Sequence, residues 1–382
     1  MKYDFDQIIS RKETHSTKWL KFSNADVIPM WIADMDFICP PEITSAMSDR
    51  ISQGIFGYSE IPSNLTDVFV DNVKNNSGWS IQKDWVVWIP GGVVGLNVTC
   101  KTILAPGEIA MVPSPIYAPF TEAPENMERG FIKTHLFDSQ GRLEFDMEAI
   151  ETLLTDDTKL FFLCNPQNPG GTVFSEGELK EISKVCEDRN IIVCSDEIHS
   201  DLILEEGLKH IPYASLNKYN EDNSITIMGP CKTFNLAGFP IAAAIIPNTE
   251  LREDFKRNTK GIVAHIDNIA FVAAEAAYRD AQEWYLELLQ YLKTNRNLLM
   301  ERLNNIDGLS LKGPEAGFLA WIDCSESGLD NAANFFIDEA RVGVYDGAWF
   351  GDKNYVRLNF GCPKSILEEA INRIEKAFSQ RN

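Results

Sequence analysis

A lysine and an acidic residue, each placed directly after an apolar run, are the residues of this sequence best suited to chemistry. Lys232 follows Ile225–Met228, and apolar residues flank it. Loss of hydration lowers the pKa of a lysine amine, and a neutral amine can form an imine or accept a proton. Asp196 follows Ile191–Cys194, where a buried carboxylate needs a cationic partner such as a protonated pyridine nitrogen. The two residues together predict a site that combines amine and carboxylate chemistry.

Two loops rich in glycine, proline and asparagine also follow apolar runs. Residues 91–94 read Gly-Gly-Val-Val ahead of a predicted helix, and the free N–H groups of a helix start bind phosphate well. Residues 165–171 read Asn-Pro-Gln-Asn-Pro-Gly-Gly, and the two Asn-Pro pairs favour a rigid, extended loop in which Asn168 can donate to a ligand oxygen. Taken singly, residues 91–94 are better explained as an ordinary strand-to-helix turn, whereas two Asn-Pro pairs in a row favour a functional loop over a purely structural turn at residues 165–171.

Short apolar runs that alternate with amphipathic helical segments position these candidates. Ser175 and Glu178 have the spacing of a helix capping box, and the apolar residues that follow fall on one helix face. Buried strands separated by helices predict an α/β fold with a mostly parallel sheet covered by helices on both faces. Ligands bind such a sheet at the carboxyl ends of its strands, where the candidate residues lie. The predicted strands are Trp85–Ile89, Ile109–Val112, Phe131–Leu136, Leu160–Cys164, Ile191–Cys194, Ile225–Met228 and Ile241–Ile246.

The pattern changes near Trp284, where a long helical segment leads into mixed strands and helices. We therefore predict a large domain over residues 51–284 and a smaller α+β domain over residues 285–382. Residues 1–50 lack the alternation of the middle of the chain and are predicted to form an arm that belongs with the small domain.

Composition excludes several functional classes. The chain has 382 residues, of which 44% are hydrophobic, and its net charge of −21 repels nucleic-acid phosphate and anionic lipid surfaces. Eight cysteines form no C-x-x-C pair and five histidines show no metal-ligand spacing, so we predict reduced thiols and no metal. No signal segment and no apolar run of membrane-spanning length is visible, which favours a cytoplasmic protein.

In their order along the chain, these motifs resemble those of the pyridoxal-phosphate (PLP) enzymes of fold type I, the class I/II aminotransferase superfamily. A closer resemblance, to the cystathionine β-lyase-like (MalY/PatB) branch, is carried by Trp31-Ile-Ala-Asp-Met-Asp-Phe37. The resemblance implies a seven-stranded large sheet, PLP as the cofactor and an amino acid as the substrate. The other matching segments are Gly57-Tyr58, Gly92-Val93-Val94, 115–120, Asn165-Pro-x-Asn-Pro-Gly170, Ser195-Asp-Glu-Ile-His199, Lys232-Thr-Phe-Asn-Leu-Ala-Gly238, Asp346-Gly347 with Phe350-Gly351, and 356–363.

The resemblance also implies a role for each matching residue. Lys232 would hold the cofactor as an imine and act as the base at the substrate Cα, Asp196 would pair with the pyridine nitrogen, and Arg357 would bind the substrate carboxylate. Tyr58 would reach the phosphate of a neighbouring subunit, which implies a homodimer with shared sites. The remaining implied contacts are Asn168 and His199 near the ring 3′-oxygen, Tyr117 on the ring face, the backbone of Gly92, Val93 and Val94 at the phosphate, and Ala33 and Asn168 at the substrate.

Two positions depart from the family pattern. Gly229 stands where the family usually has a serine, with Cys231 in place of a second serine, and Pro240 stands where many aminotransferases have an arginine. If the resemblance holds, both changes would remove side-chain contacts to the cofactor phosphate.

The implied activity is a carbon–sulfur β-lyase reaction that converts a sulfur amino acid to pyruvate, ammonia and a thiol. An aminotransferase is the alternative, because it shares the early proton removal and no single motif separates the two reactions. A non-catalytic regulatory protein on the same fold is a further alternative. Against it, Lys232, Asp196 and Arg357 are all present, and the first fifty residues are too few and not basic enough for a DNA-binding domain.

Overall fold

The computed structural model describes residues 2–22, 26–139 and 141–381. The strands in these ranges are β1 (Ile28–Pro29), β2 (Val86–Ile89), β3 (Ile109–Ser114), β4 (Gly130–Ser139), β5 (Arg142–Phe145), β6 (Thr158–Cys164), β7 (Ile192–Asp196), β8 (Ser224–Met228), β9 (Ala242–Ile245), β10 (Leu319–Asp323), β11 (Val342–Gly343), β12 (Tyr345–Asp346) and β13 (Tyr355–Asn359). The α-helices are α1 (Thr17–Leu20), α2 (Pro41–Ser52), α3 (Ser63–Ser77), α4 (Gly92–Ile103), α5 (Pro119–Asn126), α6 (Met147–Leu153), α7 (Glu176–Arg189), α8 (Lys218–Asp222), α9 (Thr249–Thr259), α10 (Asn268–Asp280), α11 (Gln282–Leu303), α12 (Ala332–Asp338) and α13 (Lys364–Ser379).

The central sheet has the strand order β2-β9-β8-β7-β6-β3-β4-β5. β3, β4, β6, β7 and β8 pair in parallel, and β2 runs in the same direction because it and β8 are both antiparallel to β9. The predicted mostly parallel α/β sheet is therefore confirmed. The carboxyl ends of six strands share one edge, and this edge carries the candidate site.

The large sheet has eight strands in the described chain, one more than the seven expected, and the additional strand is β5. This strand forms an antiparallel hairpin with β4, in which Leu136 pairs with Phe145. Its alternating pattern places Leu143 and Phe145 inward while Arg142 and Glu144 are only half-buried. The run is four residues long and follows the preceding strand directly, so it has no flanking helix to separate it from β4 in the sequence.

Local sequence explains where the helices next to the site begin. The predicted capping box is confirmed, since Ser175 Oγ accepts from the Glu178 N–H and the Glu178 carboxylate accepts from the Ser175 N–H. α4 lies directly on the sheet because residue 95 is glycine, where a Cβ would come within 2.7 Å of side-chain carbons of Ile89 and Ile227. This close packing fixes the N-terminus of α4 at the carboxyl edge of the sheet.

The C-terminal part contains the sheet β10-β13-β12, and α11 and α13 pack against each other beside it. β1 from the N-terminal arm pairs with β11, Ile28 with Val342 and Pro29 with Gly343. The division into residues 1–50, 51–284 and 285–382 stays a prediction. In the part of the chain that the structure describes, no helix is both long and apolar enough to cross a membrane.

Candidate active site

A cavity of about 640 Å³ opens at the carboxyl edge of the central sheet. It brings together residues from across the chain: Ala33, Gly92, Val93, Val94, Tyr117, Asn168, Asp196, His199, Lys232 and Arg357 all line it. Every site residue predicted from the sequence is therefore in this cavity except Tyr58. The Tyr58 side chain is fully exposed, and its nearest aromatic contact is His265, with ring centroids 6.3 Å apart.

Asp196 is the last residue of β7, between Cys164 of β6 and Ile227 of β8. Its carboxylate accepts a hydrogen bond from the Ile198 N–H at 3.1 Å, and no cation among the described residues lies within ion-pair distance. Burial raises the pKa of Asp196 to about 6, against the lowering effects of that hydrogen bond and the charge of Lys232. A carboxylate in this position favours a ligand that carries a positive charge.

Lys232 lies in the turn after β8, and its Nζ donates to the carbonyl oxygen of Ala33 at 2.9 Å. Burial lowers the pKa of its amine, as predicted from the apolar flanks. The Ala33 carbonyl therefore faces Lys232, whereas the predicted contact of Ala33 with the substrate stays a prediction. The amine is thus held at a defined place by the Ala33 carbonyl, and burial makes it easier to deprotonate than an exposed lysine.

Residues 31–37, here called the covering segment, are fixed by side chains from distant parts of the chain. Asn359 Nδ2 donates to the carbonyls of Ile32 and Asp34 at 2.6 and 2.7 Å. Asn235 accepts from the Met35 N–H at 3.0 Å and donates to the carbonyls of Met35 and Phe37. Because the covering segment presents the Ala33 carbonyl, these two asparagines position Lys232 indirectly.

Arg357 in β13 is 2% exposed and has no carboxylate within ion-pair distance among the described residues. It donates to Asn168 Oδ1 at 2.9 Å and to the Trp31 carbonyl at 3.0 Å, while its Nε has no partner. Burial lowers the pKa of the guanidinium to about 10. A buried cation without a counter-ion is costly unless a ligand supplies one, and a planar carboxylate matches the guanidinium in shape.

The N-terminus of α4 contributes the backbone N–H groups of Gly92, Val93 and Val94, which have no partner within their helix. Pro240, instead of an arginine, lines the same end of the cavity. Gly229 leaves no room for the usual serine side chain, because a Cβ there would lie 2.9 Å from the Ile241 carbonyl oxygen. Cys231 donates to that same carbonyl at 3.1 Å. An anion at this end would therefore be bound mainly by backbone N–H groups.

His199 and Tyr117 form parts of the cavity wall. His199 is 6% exposed and its Nδ1 has no hydrogen-bond partner in the described chain. Burial, with the charges of Lys232 and Arg357, lowers the pKa of His199 to about 3, so its ring is neutral at physiological pH. The Tyr117 ring lies 5.5 Å from the Trp349 ring, centroid to centroid.

Several lining residues have no signal that sequence reasoning could use. Trp31, Tyr345 and Trp349 come from the two ends of the chain, and Trp31 was noted only as part of a motif. Arg11 and Asp34 form an ion pair of 2.6 Å at the cavity mouth. Trp349 lies between two quoted motifs, so its neighbourhood, although not its role, was visible in the sequence.

The raised pKa of Asp196 predicts a pH-dependent stability difference in the ligand-free protein. A carboxyl whose pKa is higher in the folded state than its ordinary value near 3.8 stabilises the fold below that value, and this contribution is lost as the pH rises through about 6. Asp196→Asn should therefore raise the free energy of unfolding at pH 8 by about 3 kcal/mol, since each pKa unit corresponds to about 1.4 kcal/mol. At pH 4 the variant and the wild type should differ little. Urea denaturation at both pH values measures this, with the exposed Asp156→Asn as the control. Equal free energies of unfolding for Asp196→Asn and wild type at pH 8 would contradict the inference that the buried Asp196 carboxylate destabilises the ligand-free fold.

An open, mostly parallel sheet with a buried lysine, aspartate and arginine at its carboxyl edge is the architecture of PLP-dependent fold type I. Residues 25–374 match the family model described as aminotransferase class I and II, and the chain belongs to this family. It is 34% identical to the cystathionine beta-lyase PatB of Bacillus subtilis (strain 168), covering 98% of this chain and 100% of that protein. The crystal structure of OvoB has a TM-score of 0.96 at 41% identity, covering 99% of both chains. That of cystalysin from Treponema denticola, which contains pyridoxal 5′-phosphate, has a TM-score of 0.95 at 28% identity over 100% of both chains.

Proposed function

We propose that this protein is a PLP-dependent carbon–sulfur β-lyase that converts an S-substituted cysteine to pyruvate, ammonia and a thiol. The observation that carries the proposal is that Asp196, Lys232 and Arg357 face one cavity and that none of the three forms an ion pair with another described residue. Such a site requires a ligand with a cationic nitrogen, a carbonyl group and, on the substrate, a carboxylate. PLP with an amino acid meets all three requirements, and PatB is a relative of the stated activity.

The residues present fit PLP. Asp196 would bind the pyridine nitrogen and keep it protonated, Lys232 would hold the carbonyl carbon, and the N-terminus of α4 would bind the phosphate. Bound PLP supplies a sink for the electron pair that is released when the substrate Cα loses its proton. Tyr117, Asn168 and His199 would line the ring, and the neutral imidazole of His199 adds no further positive charge next to Lys232 and Arg357.

The residues of this protein would then do three things for the reaction. Arg357 binds the α-carboxylate and orients the substrate, Lys232 Nζ takes the proton from Cα, and the Ala33 carbonyl holds the Lys232 amine in place. The bond between Cβ and sulfur breaks, and the sulfur leaves as a thiolate. One water molecule is consumed overall, and pyruvate and ammonia are released with the thiol.

The assay for this function supplies S-methyl-L-cysteine to the holoenzyme without any keto acid. We expect stoichiometric pyruvate, ammonia and methanethiol. Conversion of alanine or an aromatic amino acid that depends on an added keto acid, with no pyruvate from S-methyl-L-cysteine, would instead establish the aminotransferase and overturn the lyase.

We also propose a homodimer in which Tyr58 contacts the phosphate site of the neighbouring subunit. Support comes from the segment around Tyr58, where Ile55, Phe56 and Ile61 are 75%, 62% and 47% exposed. An apolar segment of this kind is typical of an interface. Because the phosphate end of the cavity lacks the usual serine and arginine, a contact from a second subunit would complete it.

A cytoplasmic location is proposed from the cysteines. All eight are free thiols, and seven of them are buried. Free thiols in this number are typical of a reducing compartment.

A further inference from the structure

Three aromatic side chains, here called the aromatic wall, form one side of the cavity mouth. They are Trp31, Tyr345 and Trp349, with ring centroids 5.4 Å apart for Trp31 and Tyr345 and 4.8 Å apart for Tyr345 and Trp349. On its other side, the Trp349 ring lies next to the Tyr117 ring, with centroids 5.5 Å apart. Trp349 is 37% exposed, whereas Trp31 is buried. Lys21 Nζ lies over the Trp31 and Tyr345 rings, so the free apolar surface at the opening belongs mainly to Trp349.

The aromatic wall lies next to the group proposed to bind the substrate carboxylate. Arg357 donates to the Trp31 carbonyl, and its guanidinium carbon lies 5.2 Å from the centroid of the Tyr345 ring. A substrate held by Arg357 with its Cα near Lys232 has its Cβ substituent directed toward one of the remaining walls. The phosphate end and the ring end are accounted for by the cofactor, which leaves the aromatic wall for the sulfur substituent.

Charged groups at the cavity mouth neutralise one another. Arg11 binds both Asp34 at 2.6 Å and Asp36 at 2.7 Å, and the buried Lys18 binds Asp36 at 2.6 Å. Two cations therefore face two carboxylates. Lys21 Nζ lies 4.2 Å from the centroid of the Trp31 ring, outside the residues that line the cavity. A second substrate carboxylate, such as the one on the homoserine half of cystathionine, would find no unpaired lining cation there in the described chain.

We propose that the aromatic wall is the subsite for the sulfur substituent and that it selects a planar aromatic group without a carboxylate. This rests on the lyase activity proposed above and specifies its substrate class. Stacked or edge-to-face aromatic contacts add to the gain from apolar burial, so planarity as well as size should matter. The leaving thiol would then be an arylalkyl or heteroarylalkyl thiol.

The test compares S-benzyl-L-cysteine with S-(cyclohexylmethyl)-L-cysteine in the holoenzyme. The two substituents have the same carbon count, and both leave as alkyl thiolates, so mainly ring planarity differs. We expect kcat/KM for pyruvate release to be about 3- to 12-fold higher for the benzyl compound, the range that aromatic pairing supports. Cystathionine should be at least about tenfold poorer than the benzyl compound, the order expected for an unpaired charge.

Two variants separate the subsite from a general structural effect. Trp349→Leu should bring the ratio between the benzyl and cyclohexylmethyl substrates close to one, whereas damage to the fold would lower both values together. The control Phe137→Leu replaces an aromatic residue of similar exposure in β4, outside the cavity lining, and should keep the wild-type ratio, as should Lys21→Met. Equal values for the two substrates in the wild type, or a preference for cystathionine, would overturn the proposed subsite while leaving the lyase intact. No pyruvate from any S-substituted cysteine would instead overturn the lyase itself.

Discussion

Lys232→Ala should lower the rate of pyruvate release from an S-substituted cysteine by at least about 10³-fold. A positioned general base alone contributes about 10²- to 10⁴-fold, and this substitution also removes the attachment point of the cofactor. The buried amine donates to the Ala33 carbonyl, and among the described residues no other lysine lines the cavity to replace it. Steady-state assays with saturating PLP measure the loss.

The controls for this variant distinguish a lost base from a damaged fold. Lys209→Ala removes an exposed lysine and should leave the rate unchanged. Circular dichroism should be the same for both variants, and reduction with borohydride should leave the cofactor covalently on the wild type and not on Lys232→Ala. Added methylamine should restore part of the rate, because it supplies a small base to the space left by the side chain. Undiminished pyruvate release from Lys232→Ala would remove the basis of the assignment.

Arg357→Leu should raise KM for the amino-acid substrate by about 30- to 4000-fold, the range expected when one partner of a buried charge pair is truncated. The arginine is fully buried and forms no ion pair with a described residue. We therefore expect the substrate carboxylate to be its counter-ion. The effect on kcat should be smaller than the effect on KM, because the carboxylate contact exists before and during the reaction.

Arg357→Lys and Arg189→Ala refine the interpretation of this effect. The lysine variant keeps the charge but loses the bidentate geometry, so its KM should fall between those of wild type and Arg357→Leu. Arg189 is exposed at the end of α7 and does not line the cavity, so its loss should change neither constant. The ligand-free Arg357→Leu protein should be at least as stable as the wild type, since it loses an uncompensated buried charge. A normal KM in Arg357→Leu would show that the carboxylate binds elsewhere.

The strand pattern of the large sheet could be predicted because buried parallel strands are continuous apolar runs. All seven predicted runs correspond to strands, and the extra strand β5 was missed because it is short and only half apolar. The capping box of α7 was equally visible, since it depends on two residues three positions apart. Boundaries shifted by one or a few residues, as at β3, which extends to Ser114.

By itself, the sequence determined which side chains are candidates for the chemistry. Lys232 and Asp196 were predicted from the ends of apolar runs and Arg357 from a motif of the resembling family, because these signals are local along the chain. The tertiary structure alone decided the surroundings of these groups: the missing counter-ions, the clamping of residues 31–37 by Asn235 and Asn359, and the aromatic wall. These contacts join positions about 200 to more than 300 residues apart. Whether a charge is buried and whether it has a counter-ion depend on residues that are distant in the sequence and close in space. The periodicity of a sequence segment therefore cannot predict them.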